Sequence, residues 1–466
     1  MKQQIKQLFF WGTTIALLFT TLQASPATGR NTKKPNVLII MADNLGYGDL
    51  SITGAKDIRT PNIDDLFMNG LIFNEFYANS TASSPTQASL LTGRYPASVG
   101  VHGMIRDNQE NSWGYFQTES TLPMHFRKAG YTTALIGKWD LGFESPNLPN
   151  ERGFDLFMGY MGDEIDDYFT HHSKGKNYLR FNKKEIVTKG HATDLFTNWS
   201  VNFVESQQNA DNPFLLYLSF NAPGTLLQPV EDYLNQVRKR QHGLSSERAN
   251  YIALIEQIDD GIGKVITKLN ETNQLKNTII VFSAHTGGST AHGASNRTLR
   301  GGHQDLYEGG IRVPTCLFWK SQIKKGSLSH QVALTMDLFP SLSQLCETPS
   351  DQNFDGKDLT SCIFNDEPLP GNRTLFWLYR KGDDFNGKAI YAARRGAYKL
   401  MQNHPSEKFR LYNLTTDPHE MIPLSESSKY YQDLHREIHQ YIQENEKIPW
   451  SENSNSSQLI PSTSVR

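Results

Sequence analysis

Side chains that can bind ions or move protons follow several apolar runs of this sequence directly. The run Asn36–Ala42 is followed by an acid and an amide, and three later runs are followed by lysine, acid or histidine residues. Because ligands of open α/β sheets bind beyond the carboxyl ends of the strands, we expect these side chains to share one cleft. The candidates for catalysis, anion binding or metal binding are Asp43, Asn44, Lys138, Asp140, His285, Thr286 and His303.

A serine precedes a predicted helix in the same half of the chain. Ser83 stands two residues before Pro85, which suits the first turn of a helix. Backbone N–H groups at such a helix start favour an anion, and they would lie next to the Ser83 hydroxyl. Taken alone, a serine at this position is usually a helix cap, so Ser83 is a nucleophile candidate only together with the other residues.

The elements that must position these residues alternate between strands and helices. Apolar runs at 36–42, 131–137, 213–220, 278–283 and 315–319 predict buried strands. The clearest helix is predicted over 246–273, with Ser245 or Ser246 as its cap and a stripe of isoleucine and valine along one face. The fold class is therefore α/β, with a large mainly parallel sheet sandwiched by helices.

The last quarter of the chain has a different sequence pattern, with shorter apolar segments. Short strand-like pieces at 374–379, 389–393, 398–401 and 410–412 precede an amphipathic helix over 430–445. We expect a small C-terminal antiparallel sheet with one helix. The predicted organisation is a signal peptide at 1–24, a linker at 25–34, an α/β domain at 35–345, a smaller α+β part at 346–447 and a disordered tail at 448–466.

The composition excludes several classes of function. The chain has 466 residues and a formal charge of −2, which gives no indication of a nucleic-acid binder. The apolar stretch 9–20 follows two lysines and is too short for a membrane-spanning helix. We therefore expect export to the periplasm or the extracellular space, without a transmembrane anchor.

The three cysteines allow one bridge, between Cys346 and Cys362, whereas Cys316 suits a buried position.

Many short segments, in order, resemble the sulfatase family from residue 34 to about residue 424. They are ADNLGYGD at Ala42, SSPTQASLLTGRYP at Ser83, GKWDLG at Gly137, RGFD at Arg152, NAP at Asn221, IEQIDDGIGKV at Ile255, LRGGHQDLYEGGIRVP at Leu299, and the later YKLM and LYNLTTDPHE. The resemblance implies an alkaline-phosphatase-type fold and hydrolysis of sulfate esters. It places Ser83 at the residue that becomes formylglycine, Lys138, Asp140 and His303 at catalytic positions, and Asp43, Asn44, His285 and Thr286 at the calcium ligands.

The resemblance fails at the positions where the family has its catalytic residues and metal ligands. Gln87 stands where the family has arginine, Asp140 and Gly224 where it has histidines, and His303 where it has lysine. Asn44 replaces a second metal-binding acid, and His285 with Thr286 replaces an Asp-Asn pair. Losing one general acid or base lowers a rate about a hundredfold to ten-thousandfold, so several losses together leave little turnover.

Three functions remain open from the sequence. The first is a secreted sulfatase-family protein, a pseudoenzyme candidate that binds a sulfated carbohydrate or another small anionic ester without ordinary turnover. The second is an active sulfatase that uses Ser83 matured to formylglycine, with calcium and with Lys138, His285 and His303 as cationic contacts. The third is a phosphatase or phosphodiesterase with unmodified Ser83, in which Asp43, Asp140, His285 and His303 hold zinc or another transition metal.

Overall fold

The computed structural model describes residues 33–107, 112–118, 120–163, 165–224, 226–382 and 387–448. The predicted signal peptide, nearly all of the predicted linker and nearly all of the predicted tail lie outside these residues. The helices are α1 Pro61–Asn69, α2 Ser83–Thr92, α3 Leu122–Lys128, α4 Ala192–Ser206, α5 Glu231–Arg240, α6 Ser246–Glu271, α7 Glu308–Ile311, α8 Leu338–Leu345, α9 Thr360–Asn365 and α10 Lys429–Asn445. The strands are β1 Asn36–Ala42, β2 Leu71–Phe73, β3 Phe76–Tyr77, β4 Thr132–Trp139, β5 Leu156–Met161, β6 His172–Ser173, β7 Lys176–Asn177, β8 Leu179–Phe181, β9 Lys184–Glu185, β10 Phe214–Ser219, β11 Thr278–Ala284, β12 Thr315–Trp319, β13 Ser327–Ser329, β14 Ala333–Leu334, β15 Thr374–Arg380, β16 Ala389–Arg395, β17 Tyr398–Gln402 and β18 Arg410–Asn413.

The main sheet is parallel at its centre and antiparallel towards its edges. Over the described residues its ten strands run in the order β13-β2-β12-β11-β1-β10-β4-β5-β8-β9. The central strands β11, β1, β10, β4 and β5 pair in parallel. The strand β12 pairs antiparallel with β11, and β8 pairs antiparallel with β5. The predicted mainly parallel sheet is confirmed at its centre, where the carboxyl ends of the strands meet.

The central strands form because their side chains are apolar on both faces. All seven residues of β1 are buried, as are all six of β10 and all seven of β11. Strands covered on both faces read as continuous apolar runs, which is how the sequence predicted them. The strand β4 differs from its prediction, because it continues past residue 137 and includes Lys138.

The long helix α6 confirms its predicted start. Ser245 is the cap, and its side chain accepts a hydrogen bond from the backbone N–H of Arg248. The apolar stripe of α6 is buried, and the helix packs against α1, α4 and α5. Helices α1, α3 and α4 in turn contact strands of the main sheet. These layers hold the strand ends in place.

The small antiparallel sheet β15-β16-β17-β18 is confirmed, and α10 packs against its first three strands. Its attachment to the rest of the chain is specific. The indole N–H of Trp377 donates to the carbonyl of Ala78, and the Arg394 guanidinium lies over the ring of Tyr77. The segment that leads into α2 is therefore held partly by the C-terminal sheet, although the division of the chain at residue 346 stays a prediction.

A buried ion cluster also joins the two parts. The Lys399 ammonium lies 3.0 Å from a carboxylate oxygen of Glu308 and 2.8 Å from one of Glu420. Burial, and then the charge of Glu308, raise the pKa of Glu420 to about 7, although Lys399 opposes the shift. Lys399 and the other nearby cations outweigh the effect of burial on Glu308 and lower its pKa.

This cluster predicts a pH dependence of stability. Because the pKa of Glu420 is raised, its contribution to the free energy of unfolding is present below about pH 4.5 and is lost as the pH rises through 7. The variant Glu420→Gln cannot titrate here. Urea unfolding between pH 5 and pH 8 should show a loss of stability for the wild type that exceeds the loss for Glu420→Gln by about 1–3 kcal/mol. Parallel pH profiles of the two proteins would contradict this assignment.

The three cysteines form no disulfide bridge in this structure. Cys316, Cys346 and Cys362 are all free and buried, so the bridge that the sequence allowed between Cys346 and Cys362 does not form in this structure. Cys346 lies beside Tyr131 in the core that contains the main sheet and interacts with its hydroxyl.

A search of the described helices finds none with the length and apolar character that a membrane span needs.

Candidate functional site

Ser83 is the first residue of α2, and its hydroxyl faces two acids. The residue before it, Ala82, is extended and is the cap position, so Ser83 does not cap the helix. The Ser83 Oγ lies 2.5 Å from Asp140 Oδ2 and 3.1 Å from Asp163 Oδ1. Ser83 and Asp140 are buried. The predicted nucleophile position therefore lies in the cleft, with acids rather than cations beside its hydroxyl.

The Lys138 ammonium lies at the centre of the acids. Its Nζ is 3.0 Å from Asp43 Oδ2, 2.8 Å from Asp163 Oδ1 and 4.0 Å from Asp140 Oδ2. Burial alone would lower the pKa of Lys138, but the three carboxylates raise it above its ordinary value. The ammonium stays charged at neutral pH, and its charge is already matched by acids of the protein.

The acids around this ammonium differ in protonation. Lys138 and then His285 outweigh the effect of burial on Asp43 and lower the pKa of that carboxyl. Burial, together with the charges of Asp163 and Asp43, raises the pKa of Asp140 to about 8. A pKa of about 8 favours the protonated form of Asp140 near pH 7, and Asp140 Oδ2 lies within hydrogen-bond distance of the Ser83 hydroxyl. A protonated acid in this place does not act as a general base for Ser83.

Gln87 holds the backbone around residue 139. Its Nε2 donates to the carbonyl of Lys138 at 3.2 Å and to the Tyr217 hydroxyl at 3.2 Å, and its Oε1 accepts from the backbone N–H of Asp140 at 2.8 Å. The side chain is buried. An amide here positions the strand end but adds no positive charge for an anionic substrate.

The two candidate histidines are not cationic contacts at neutral pH. His285 lies 2.9 Å from the Tyr217 hydroxyl through Nε2 and 3.6 Å from Asp43 Oδ1 through Nδ1. His303 Nδ1 lies 3.3 Å from the Thr286 hydroxyl. Burial is the main cause that lowers the pKa of both His285 and His303 below the ordinary value. Both rings are thus neutral near pH 7, which removes the charge that the second sequence interpretation required.

The predicted metal ligands do not fit calcium. Calcium takes about six to eight oxygen ligands, several of them carboxylates. Of the four predicted positions only Asp43 is an acid, and it is paired with Lys138. The Asn44 Oδ1 accepts a hydrogen bond from the Thr286 hydroxyl at 2.8 Å, so these two residues bond to each other. The Lys138 ammonium supplies the positive charge that balances the Asp43 carboxylate.

The same residues do not fit zinc or another transition metal. Such an ion takes about four ligands, mainly nitrogen and sulfur. One nitrogen of each candidate histidine is already in hydrogen-bond contact with a hydroxyl, His285 Nε2 with Tyr217 and His303 Nδ1 with Thr286. In the part of the chain that the structure describes, no group of three or more histidine, cysteine, aspartate or glutamate residues could hold a metal ion.

Gly224 leaves no room for the histidine that the family pattern has there. A Cβ atom at this position would lie 2.5 Å from the Asn221 carbonyl oxygen and 3.2 Å from Asp43 Oδ2. The first distance is too short for any side chain unless the backbone moves. A histidine at this position would therefore require a different backbone path for the loop after β10.

Sequence reasoning missed Asp163, which contacts both Ser83 and Lys138. It follows β5, whose sequence LFMGYM is as apolar as the runs that were recognised. The same signal, an acid directly after a buried strand, could have identified Asp163. The structure thus brings together Ser83, Lys138, Asp140, Asp43 and Asp163, while Thr286 links His303 to Asn44 beside this group.

A cavity of about 410 Å³ opens beside this group and includes Asp163 in its wall. Three cationic residues, Arg106, Lys174 and Lys176, line it together with the rings of Phe143 and Tyr178. A second hollow of about 370 Å³ shares Lys176, Phe143 and Tyr178, so the two adjoin each other. The cleft thus has acids near Ser83 and a wall in which aromatic rings and cations alternate with acids such as Asp107.

The chain matches two protein-family models. The Sulfatase model matches residues 35–348, and the model of the N-sulphoglucosamine sulphohydrolase C-terminal region matches residues 303–447. The chain is 28% identical to mouse N-acetylgalactosamine-6-sulfatase, over 89% of this chain and 86% of that protein. It is 28% identical to human arylsulfatase A, over 82% of this chain and 77% of that protein.

Solved structures agree with these matches. The structure of Ps i-CgsB in complex with k-i-k-neocarrahexaose superposes with a TM-score of 0.81 at 30% identity, over 89% of this chain and 94% of the other. The structure of BT4656 in complex with D-glucosamine-2-N,6-O-disulfate shares the fold, with a TM-score of 0.73 at 21% identity, over 91% of this chain and all of the other. The protein described here belongs to the sulfatase family.

Proposed function

We propose that this protein binds a sulfated carbohydrate in the cleft beside Ser83 and does not hydrolyse sulfate esters by the reaction of its family. The observation that carries this proposal is the pairing of Lys138, whose ammonium lies within 3.0 Å of Asp43 and Asp163. Charge that develops on a sulfate in the transition state needs unpaired cationic donors around the reacting group. The Lys138 ammonium is instead held by Asp43 and Asp163, so it is not free to stabilise that charge.

The wall of the cavity supports the binding part of the proposal. Sugars pack their apolar faces on aromatic rings, and sulfate groups bind to ammonium and guanidinium groups. Lys176 is suited to such a contact, because its side chain is 67% exposed although it lies 2.7 Å from Asp107. N-acetylgalactosamine-6-sulfatase, which is named for a sulfated sugar, and i-CgsB, which was solved with k-i-k-neocarrahexaose, support a carbohydrate ligand by analogy.

Two further elements of the proposal come from the sequence and the donor set. We propose export, because residues 1–24 have the layout of a signal peptide. We also propose that the cleft works without calcium, because the ammonium of Lys138 balances the acids that would otherwise hold a cation. The active sulfatase with matured Ser83 remains the alternative that the experiment below must distinguish.

The binding prediction concerns Lys176. Replacing it by methionine removes a charge from the cavity wall, and we expect the affinity for a sulfated galactan hexasaccharide to fall about tenfold, which corresponds to about 1.4 kcal/mol. The matched control is Lys183→Met, since Lys183 also forms an exposed ion pair, with Glu151 at 2.6 Å, but does not line the cavity. Isothermal titration calorimetry of both variants and the wild type, at low and moderate salt, provides the measurement.

The outcome has three distinguishable forms. Binding of the sulfated sugar, absent for its desulfated form and weakened only by Lys176→Met, supports the proposal. Equal binding of both sugars, or equal loss in both variants, overturns the assigned cleft. Release of sulfate by protein whose Ser83 peptide has lost two hydrogens, as formylglycine requires, would establish the active sulfatase instead.

A further inference from the structure

Two histidines on α10 lie together at the surface, on an element that packs against the C-terminal sheet and contributes nothing to the cleft at Ser83. His435 and His439 are four residues apart, which places them on one face of the helix. Their Nε2 atoms are 3.1 Å apart. His439 is exposed and His435 is half-buried, so the pair lies at the protein surface.

Neighbouring rings fix the two imidazoles in this arrangement. The ring of Tyr431 stacks on His435 with 5.5 Å between centroids and 13° between planes. The edge of Phe409 contacts both imidazoles, at 5.5 Å from His435 and 5.8 Å from His439. The side chains thus lose little rotamer freedom when they bind a common ligand, because packing already restricts them.

A single hydrogen bond joins the two nitrogens, so one lone pair points at a proton of the other ring. When both rings carry their proton on Nδ1, both Nε2 atoms, 3.1 Å apart, have a lone pair available for a metal ion. A metal ion about 2.0–2.1 Å from each nitrogen would then make an angle of about 100° at the metal. That angle lies between the values for square-planar and tetrahedral coordination, so the spacing suits a transition metal ion.

The chemistry of the pair selects the class of ion. Imidazole nitrogen favours copper, nickel and zinc, whereas calcium and magnesium prefer oxygen. Because the described residues contain no third histidine, cysteine, aspartate or glutamate in metal-binding position, water would complete the coordination.

We propose that His435 and His439 form a two-imidazole surface site for a divalent transition metal ion, with affinity in the order Cu²⁺ above Ni²⁺ and Zn²⁺. The site does not depend on the function proposed for the cleft. Binding there links two successive turns of α10, so the bound ion stabilises the helix that covers the C-terminal sheet. The Ser83 cleft plays no part in it.

The test titrates the full chain with Cu²⁺ and with Ni²⁺ in a non-coordinating buffer at pH 7. Electron paramagnetic resonance of the Cu²⁺ form should show coupling to two nitrogen nuclei, and calorimetry should give about one equivalent per chain. Since chelation by two linked ligands adds about 10²-fold or more to affinity, His435→Ala and His439→Ala should each weaken binding about a hundredfold. The matched control, His242→Ala, removes an exposed histidine outside this pair and should leave binding unchanged.

Thermal unfolding gives a second readout that does not depend on the spectra. A bound ion should raise the Tm of the wild type, because it binds the two histidines only when α10 is folded. The rise should vanish in both single variants. Binding in either variant at wild-type strength, or an equal loss in His242→Ala, would overturn the site. The Tm of each variant without metal shows whether it is folded.

Discussion

Replacing Lys138 by methionine should lower the free energy of unfolding by about 3–5 kcal/mol, because it leaves buried carboxylates without their partner. Methionine keeps the length and the apolar stem of lysine, so the effect isolates the charge. Asp43 and Asp140 are buried and Asp163 is partly buried, which prevents water from replacing the ammonium fully. Urea unfolding at pH 7, followed by circular dichroism, measures the change.

Two comparisons sharpen the result for Lys138. The variant Lys183→Met breaks an exposed ion pair and should change stability by less than about 1 kcal/mol. Calcium at millimolar concentration should restore part of the stability of Lys138→Met, where Asp43 and Asp163 lose their cation, and should leave the wild type unchanged. A Lys138→Met protein as stable as the wild type, or a wild type that calcium stabilises strongly, would refute the role given to the ammonium.

The second large effect is expected at Gly137, next to this lysine. In the parallel pair of β4 and β10, Gly137 lies opposite Ser219. A Cβ atom at residue 137 would lie 1.8 Å from the Ser219 carbonyl oxygen, and the backbone φ is +111°. The strands must separate to admit any side chain. We expect Gly137→Ala to lower stability by more than about 4 kcal/mol, a large part of the 5–15 kcal/mol that folded domains have.

The control for this prediction is Gly130→Ala. Gly130 also has a positive φ, +92°, but a Cβ atom there meets nothing within 4 Å. The cost at Gly130 is then backbone strain alone, about 1–2 kcal/mol. Soluble yield and urea unfolding of the two variants separate steric exclusion from strain. Equal destabilisation by both would show that the close approach of β4 and β10 is not what requires glycine at 137.

The parts of the fold that sequence predicted share a physical signal. The buried strands β1, β10 and β11 are continuous apolar runs, and α6 has both a cap at Ser245 and an apolar stripe. The short strands at the edges, such as β9 and β13, carry no such pattern. They form because a neighbouring strand offers free hydrogen-bonding groups, and that depends on tertiary structure rather than on local sequence.

Four of the five side chains that meet in the cleft were candidates from the sequence, but the balance of their charges was not predicted. Sequence placed Ser83, Lys138, Asp140 and Asp43 in one cleft, and the structure brings them into contact. It could not show that Lys138 pairs with Asp43 and Asp163, because these residues come from the ends of three separate strands. It could not predict the raised pKa of Asp140 either, since that shift arises from burial and neighbouring charge.

The hydrogen bond from Trp377 to Ala78 bears on how this chain is made. The two residues are separated by 299 positions, and Ala78 lies just before the helix that begins with Ser83. During synthesis the segment around Ala78 leaves the ribosome long before β15 exists, so its final contacts must wait until most of the chain has emerged. The nascent protein therefore completes the surroundings of Ser83 among its last folding steps, and a chain cut short before β15 would leave them unfinished.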